Sequence, residues 1–341
     1  MRIALLGAGS LGTVIGAFIT KGGADITLFD VDRAHVAALN TVGAKITGAM
    51  EMIVPVRAQM LSDMAGRFDL VFYLAKAPNN ESALVPLCTH LHENSIVCTL
   101  QNGLPEEAVA FFVGRERTVG GTVGWGASIV APGVSKMTSD PEKMTYEIGE
   151  IFGPATERLQ QVKQILDLAG KCYITENLAG ARWTKLLINA AYSGMSAALG
   201  CSYGDIMDND KARLCAAFIA DELIKVALTL GVKMEEFQGT DPTMLEMKHG
   251  KQDFPAMTEL HHRIWGPHRQ VIASMLYDLR LGRKTEIGAL NGEVCNRGRG
   301  VGVPTPFNDK VVELVREAEA TQRVNTFDML SRFDELVEQA P

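Results

Sequence analysis

The first twelve residues constrain the fold more than any other stretch of the chain. Met-Arg-Ile-Ala-Leu-Leu reads as an apolar strand, and it runs directly into Gly7-Ala-Gly9-Ser10-Leu11-Gly12. Glycine at the first of these positions permits a tight turn, at the second a close approach of backbone to a pyrophosphate, and at the third close packing of helix on strand. Ser10 and Leu11 then open a helix whose N-terminal N–H groups face the phosphates. An ordinary strand-to-helix turn needs only one or two glycines. The next strand-like run, Asp25-Ile-Thr-Leu-Phe-Asp30, ends in a carboxylate eighteen residues after Gly12, where an acid that binds a ribose belongs. Strand, glycine turn, helix, second strand and terminal acid in register predict a dinucleotide-binding Rossmann unit, with Gly7, Gly9, Ser10, Leu11, Gly12 and Asp30 holding the cofactor.

A chain of 341 residues suits two domains. Its 47% hydrophobic and 21% charged residues lie near the globular average, which excludes disordered and fibrous classes. The net charge of −7, with no long run of Lys or Arg, argues against a nucleic-acid or anionic-membrane surface. Neither a membrane-spanning apolar stretch nor a signal-peptide pattern is present, so a cytoplasmic protein is expected. Cys88, Cys98, Cys172, Cys201, Cys215 and Cys295 are scattered without C-x-x-C spacing and read as buried thiols. His261, His262 and His268 fit no zinc signature, and beside Gly266-Pro267 they read as a loop or the start of a helix, so no metal site is expected.

Strand-like runs at 69–74, 95–100 and 118–119 alternate with helical patterns near 80–92 and 104–113, which predicts a doubly wound parallel sheet. Segments 127–133 and 144–149 read as antiparallel strands finishing that sheet. A helix over 155–169 and a strand over 172–175 close the first domain, residues 1–176. From 177 to 341 the 3.6-residue period takes over, at about 178–199, 208–230, 268–281, 286–299 and 307–322. The fold class is therefore α/β, a Rossmann-type doubly wound sheet followed by an all-α C-terminal domain.

Lys185 and Asn189 are four residues apart and share a helix face, with Leu186, Leu187 and Ile188 between them. A cation and an amide need partners if buried, which points to a ligand site. The same spacing also fits a lysine snorkelling to solvent and an asparagine bonded to neighbouring backbone. Glu286, within Arg283-Lys-Thr-Glu286-Ile287, reads on its own as a helix-start carboxylate with Thr285 as cap. Lys76 and Asn102 each follow a predicted strand, at the edge where open α/β sheets bind ligands. Asn102-Gly103 is equally a common turn pair, and Lys76 equally a solvated side chain.

Six motifs stand in order: Gly7 to Gly12, Lys76-Ala77, Gln101-Asn102-Gly103, Lys185-Leu-Leu-Ile-Asn189, Ser274-Met275 with Asp278, and Arg283-Lys-Thr-Glu286-Ile287. The series, spanning nearly the whole chain, resembles the ketopantoate reductase family. The resemblance implies a Rossmann domain, a helical domain similar to that of 6-phosphogluconate dehydrogenase, and reduction of a 2-oxo acid, ketopantoate to pantoate, by a nicotinamide cofactor. It also implies that Lys185 is the general acid, that Asn102 and Asn189 hold the lysine and the substrate, and that Glu286 accepts a hydrogen bond from a substrate hydroxyl. Ser274 would contact the substrate carboxylate, Ser193 would complete the substrate lining, and Lys76 and Asn102 would lie beside the cofactor. Proteins of this type often form homodimers.

The chain also departs from the family pattern. Ser193, Tyr203 and Val271 stand where many relatives carry asparagine, which makes a branched or aromatic 2-oxo acid the alternative substrate class. Relatives that use NADPH place an arginine just after the second strand, whereas here Asp30 is followed by Val31. NADH is therefore the expected cofactor, with Arg33 keeping NADPH as the alternative. A non-catalytic dinucleotide sensor is a further reading of the Rossmann unit alone, and it has no use for both Lys185 and Glu286.

Overall fold

The computed structural model describes every residue except Gln238. The chain divides into two compact units, Met1–Leu178 and Ala179–Pro341. The strands of the first unit are β1 (Ile3–Leu6), β2 (Ile26–Asp30), β3 (Ala44–Gly48), β4 (Met52–Val54), β5 (Arg57–Met60), β6 (Phe68–Tyr73), β7 (Leu91–Thr99), β8 (Thr118–Val123), β9 (Ala127–Ala131), β10 (Val134–Met137), β11 (Thr145–Glu150) and β12 (Lys171–Ile174). Its helices are α1 (Ser10–Lys21), α2 (Arg33–Thr41), α3 (Asn80–Cys88), α4 (Glu106–Val113) and α5 (Glu157–Leu166).

The main sheet has eight strands in the order β12-β11-β8-β7-β6-β1-β2-β5. From β8 to β5 all neighbours are parallel, the arrangement of a dinucleotide-binding sheet. All four residues of β1 are buried, as expected for a strand covered on both faces. Ile3 and Leu5 enter one core with Val14, Ile15 and Ile19 of α1, and Ala4 and Leu6 enter the other with Leu84, Leu87 and Val109 of α3 and α4. Each such valine, leucine or isoleucine side chain contributes roughly 1.5–3 kcal/mol by leaving water.

Only β11 finishes the main sheet in antiparallel fashion, against β8. Segment 127–133 does not. β9 and β10 form a hairpin turned at Gly133 (φ +74°), and β10 pairs in parallel with β3 to build a second sheet, β4-β3-β10-β9, that packs on α1. β3 and β4 are too short, and β4 too exposed, to announce themselves by period.

The second unit is helical: α6 (Leu178–Ile188, whose first residue ends the first unit), α7 (Gly194–Leu199), α8 (Tyr203–Met207), α9 (Asp210–Thr229), α10 (Phe254–Trp265), α11 (Ser274–Arg280), α12 (Asn291–Val301), α13 (Pro306–Thr321) and α14 (Asp334–Gln339). α9 is buried around most of its circumference and forms the centre. Residues 261 and 262 lie on α10, which ends at Trp265 before Gly266-Pro267, so this segment is a helix rather than a loop or a helix start. Its buried positions, Met257, His261, Ile264 and Trp265, keep the helical period, but a histidine stands where an apolar residue would have signalled it. Glu286 precedes α12 in a turn and does not start a helix. Among the described residues no helix is long and apolar enough to cross a membrane. Five cysteines are buried free thiols, and Cys88, at the end of α3, is exposed.

Candidate active site

The glycine turn separates what the fold requires from what a ligand requires. Gly7 has φ +93°, and a Cβ there would lie 2.5 Å from the backbone nitrogen of Ala75. One at Gly12 would overlap the carbonyl oxygen of Gly7. A Cβ at Gly9 would meet nothing within 4 Å. Helix α1 starts here with no side-chain cap and no acidic residue in its first turn, so its positive end is not neutralised by the protein's own side chains. Open space over uncapped N–H groups fits a dinucleotide pyrophosphate. At the end of β2, Asp30 Oδ1 accepts from Val31 N (2.8 Å) and Asp32 N (3.0 Å), which fixes the carboxylate.

The turn is braced by a residue that sequence reasoning missed. His35, buried on α2, accepts at Nδ1 from Gly133 N (3.0 Å), so its proton is on Nε2, which donates to Ala8 O (2.7 Å). Thr13 Oγ1 donates to the same carbonyl (2.6 Å), and Ser135 Oγ of β10 donates to Ser10 O (2.8 Å). The second sheet and α2 thus hold the glycine turn from behind. The available signal was a histidine adjoining the apolar face formed by Val36 and Leu39.

Lys76 and Asn102 come to the same sheet edge. Lys76 is half-buried at the start of the short turn Ala77–Asn79 that follows β6, and Asn102 is half-buried after β7. Gln101 links the two loops, donating from Nε2 to Ala75 O (2.5 Å) and to Asn80 Oδ1 (2.8 Å), and Tyr73 Oη donates to the same Asn80 oxygen (2.9 Å). Because Ala75 packs on Gly7, the glycine turn, Lys76 and Asn102 form one constellation.

In the second unit, α6 carries Lys185, half-buried beside the buried Arg182. Burial pushes its ammonium down to about 7; Arg182 pushes the same way, and the Glu286 carboxylate opposes both. Lys185 and Glu286 are therefore within electrostatic reach of each other, and Glu286 is buried. The single helix expected over 178–199 is interrupted by a π-turn, Asn189–Ser193, in which Gly194 N donates to Asn189 O five residues back. Such turns re-aim side chains and recur at functional sites. The half-buried Asn189 side chain makes no hydrogen bond among the described residues.

Ser193 and Tyr203, two of the departures from the family pattern, pair with each other, Oγ to Oη at 2.6 Å. Val271, the third, accepts Tyr203 N at its carbonyl (3.0 Å) while its side chain is partly exposed. Behind them Tyr192 stacks on Trp265 (4.4 Å, 20°) and meets His261 Nδ1 at 3.0 Å. Burial pushes His261 down to about 3, which keeps it neutral. Ser274 heads α11, exposed, and its hydroxyl makes no hydrogen bond among the described residues.

Comparison with known proteins agrees along the chain. Residues 3–151 match the profile of ketopantoate reductase PanE/ApbA, and residues 177–319 match that of the ketopantoate reductase PanE/ApbA C terminal region. The 2-dehydropantoate 2-reductase of Pyrococcus horikoshii is 28% identical over 321 residues, covering 94% of this chain and 98% of that protein. The structure of 2-dehydropantoate 2-reductase from Geobacter metallireducens superposes with a TM-score of 0.79 at 27% identity, over 93% of this chain and 100% of that one. A ternary structure of D-mandelate dehydrogenase with NADH and anilino(oxo)acetate shares the fold at a TM-score of 0.81 and 22% identity, covering 94% of this chain and 99% of that one. The two matched profiles, which together run from residue 3 to residue 319, establish that this chain belongs to the ketopantoate reductase family.

Proposed function

We propose that the protein is an NAD(P)H-dependent reductase of 2-oxo acids, with ketopantoate as first choice of substrate. The observation that carries this reading is a half-buried lysine, brought to about 7, within reach of a buried carboxylate. Gly7, Gly9, Ser10, Leu11, Gly12, Asp30, Lys76 and Asn102 would hold the dinucleotide, which when bound supplies the hydride to the carbonyl carbon. As negative charge develops on the carbonyl oxygen, the Lys185 ammonium stabilises it and then gives it a proton, so a 2-hydroxy acid results. Glu286 would accept a hydrogen bond from a substrate hydroxyl and sustain the charge on Lys185. Asn189, Ser193 and Ser274 would orient the substrate, Ser274 at its carboxylate. A pure dinucleotide sensor has no use for the lysine and the carboxylate together. A homodimer is part of the same proposal.

NADH is the proposed reductant. The fixed Asp30 carboxylate suits two ribose hydroxyls and repels a 2′-phosphate. Two like charges about 4 Å apart cost on the order of 4 kcal/mol at an effective dielectric near 20, so even a screened fraction gives tenfold selectivity.

The Ser193–Tyr203 pair supports a second reading, in which the substrate is a branched or aromatic 2-oxo acid. Hydroxyls that satisfy each other do not demand a hydroxyl on the ligand, so analogues lacking one are not rejected. This reading is in keeping with the D-mandelate dehydrogenase of the same fold, whose structure holds anilino(oxo)acetate. The test is initial-rate kinetics with ketopantoate, 2-oxoisovalerate and phenylglyoxylate, each with NADH and NADPH. Efficiencies with the last two within about tenfold of ketopantoate, a gap of roughly 1.4 kcal/mol, favour the second reading. A preference for ketopantoate of about a thousandfold or more favours the first, and a preference for NADPH overturns the role given to Asp30.

A further inference from the structure

We propose that Asn291 is a positioning residue that ties the π-turn bearing Asn189 and Ser193 to the loop bearing Glu286. The inference rests on the reading above that these residues serve the 2-oxo acid. In the π-turn the N–H of Gly194 goes to Asn189 O, whereas in an α-helix it would go to Ala190 O. Ala190 is fully buried, and a buried carbonyl needs a donor. Asn291 supplies one: its Nδ2 donates to Ala190 O at 3.1 Å.

The same amide group donates to Asn308 Oδ1 at 3.0 Å, and Asn308 cannot turn away. Its own Nδ2 donates to Glu222 Oε2 (2.7 Å) and to Ile219 O (3.2 Å) on the central helix α9. Glu222 also accepts Phe307 N (2.8 Å) and Asn308 N (2.9 Å), which clamps the start of α13. Asn291 is therefore anchored to the middle of the unit, and the π-turn is anchored through Asn291.

Along the chain the link to Glu286 is short and tightly wound. Ala289 N and Leu290 N both donate to Glu286 O (2.9 and 3.1 Å), and Gly292 N donates to Ile287 O (2.9 Å). A shift of Asn291 is thus passed to Glu286 with little slack. Gly194 makes the contact possible from the other side, since a Cβ there would lie 2.6 Å from Asn291 Oδ1. An apolar residue at 291 would be cheaper to bury. What the amide adds is a fixed bond between the π-turn that follows Lys185 in the chain and the loop that bears Glu286.

The test uses the full chain with two variants, Asn291→Leu and Gly194→Ala. The first removes the bond. The second pushes the amide off the π-turn while placing a good helix former in a helix. Three quantities are measured: NADH affinity by fluorescence titration, kcat for the 2-oxo acid, and the pH midpoint of Lys185 acetylation by acetic anhydride, read by peptide mass spectrometry. The last needs no substrate. The expected result is NADH affinity within about twofold of wild type, kcat lower by about tenfold or more, and a midpoint raised by about half a pH unit or more as water reaches Lys185. An unchanged kcat and midpoint, with or without a lower Tm, means that Asn291 serves stability alone and overturns the proposal. If Asn291→Leu does not fold, Gly194→Ala decides by the same two readouts. If the wild type reduces no 2-oxo acid, the functional reading fails, and the acetylation midpoint still settles whether Asn291 positions Lys185.

Discussion

In the proposed mechanism Lys185 concentrates the chemistry at a single side chain, and its lowered pKa then sets a pH profile. A general acid must be protonated, so reduction should be fast and flat below about pH 6 and fall about tenfold per unit well above 7. Lys185→Ala should lose about 100-fold or more in kcat while binding NADH normally, and Lys185→Arg should not restore it, because a guanidinium holds charge but does not release its proton. Near-normal turnover in the alanine variant would remove Lys185 from this role. The spacing of Lys185 and Asn189 is legible in the sequence because the helical period runs from Lys185 in α6 up to Asn189, the first residue of the π-turn. His35 and Asn291 are not. Each acts on backbone far along the chain, His35 on Gly133 at a separation of 98 residues and Asn291 on Ala190 at a separation of 101, and no local pattern encodes such a partner.

Among the elements, the parallel strands read well because strands buried on both faces are continuous apolar runs. The second sheet was hidden for the opposite reason: β3, β4 and β10 are short, mixed in polarity and paired only through tertiary contact. The π-turn was hidden because one displaced hydrogen bond leaves the apolar period nearly intact. The second sheet has a testable purpose. His35→Leu cuts the tie between the Gly133 hairpin and Ala8 and leaves a buried N–H and a buried carbonyl with fewer partners. The expected outcome is a five- to tenfold weaker Kd for NADH, about 1–1.4 kcal/mol, with kcat at saturating NADH within about twofold of wild type. Titration calorimetry checks the first and steady-state kinetics the second. A fall in kcat with Kd unchanged would instead place His35 in the chemistry.

For the whole molecule, alternation of strands and helices followed by helices alone was enough to read the fold class, because layer architecture follows from the order of elements. The first unit has cores of its own on both faces of its sheet, and it holds every residue assigned to the dinucleotide. A fragment comprising Met1–Leu178 should therefore bind NADH within about tenfold of the full chain. It should show no hydride transfer, since Lys185 and Glu286 belong to the other unit. Fluorescence titration and a rate assay read the two outcomes, and a fragment that folds but does not bind would show that the cofactor site is incomplete without the helical unit. The division also has a hereditary side. On the proposed reading, the choice of reductant lies at Asp30 and the choice of oxo acid near Ser193, Tyr203 and Val271, in separate stretches of chain. A lineage can drift in one without disturbing the other, so descendants of a single ancestor can come to share a hydride donor while parting company over what they reduce.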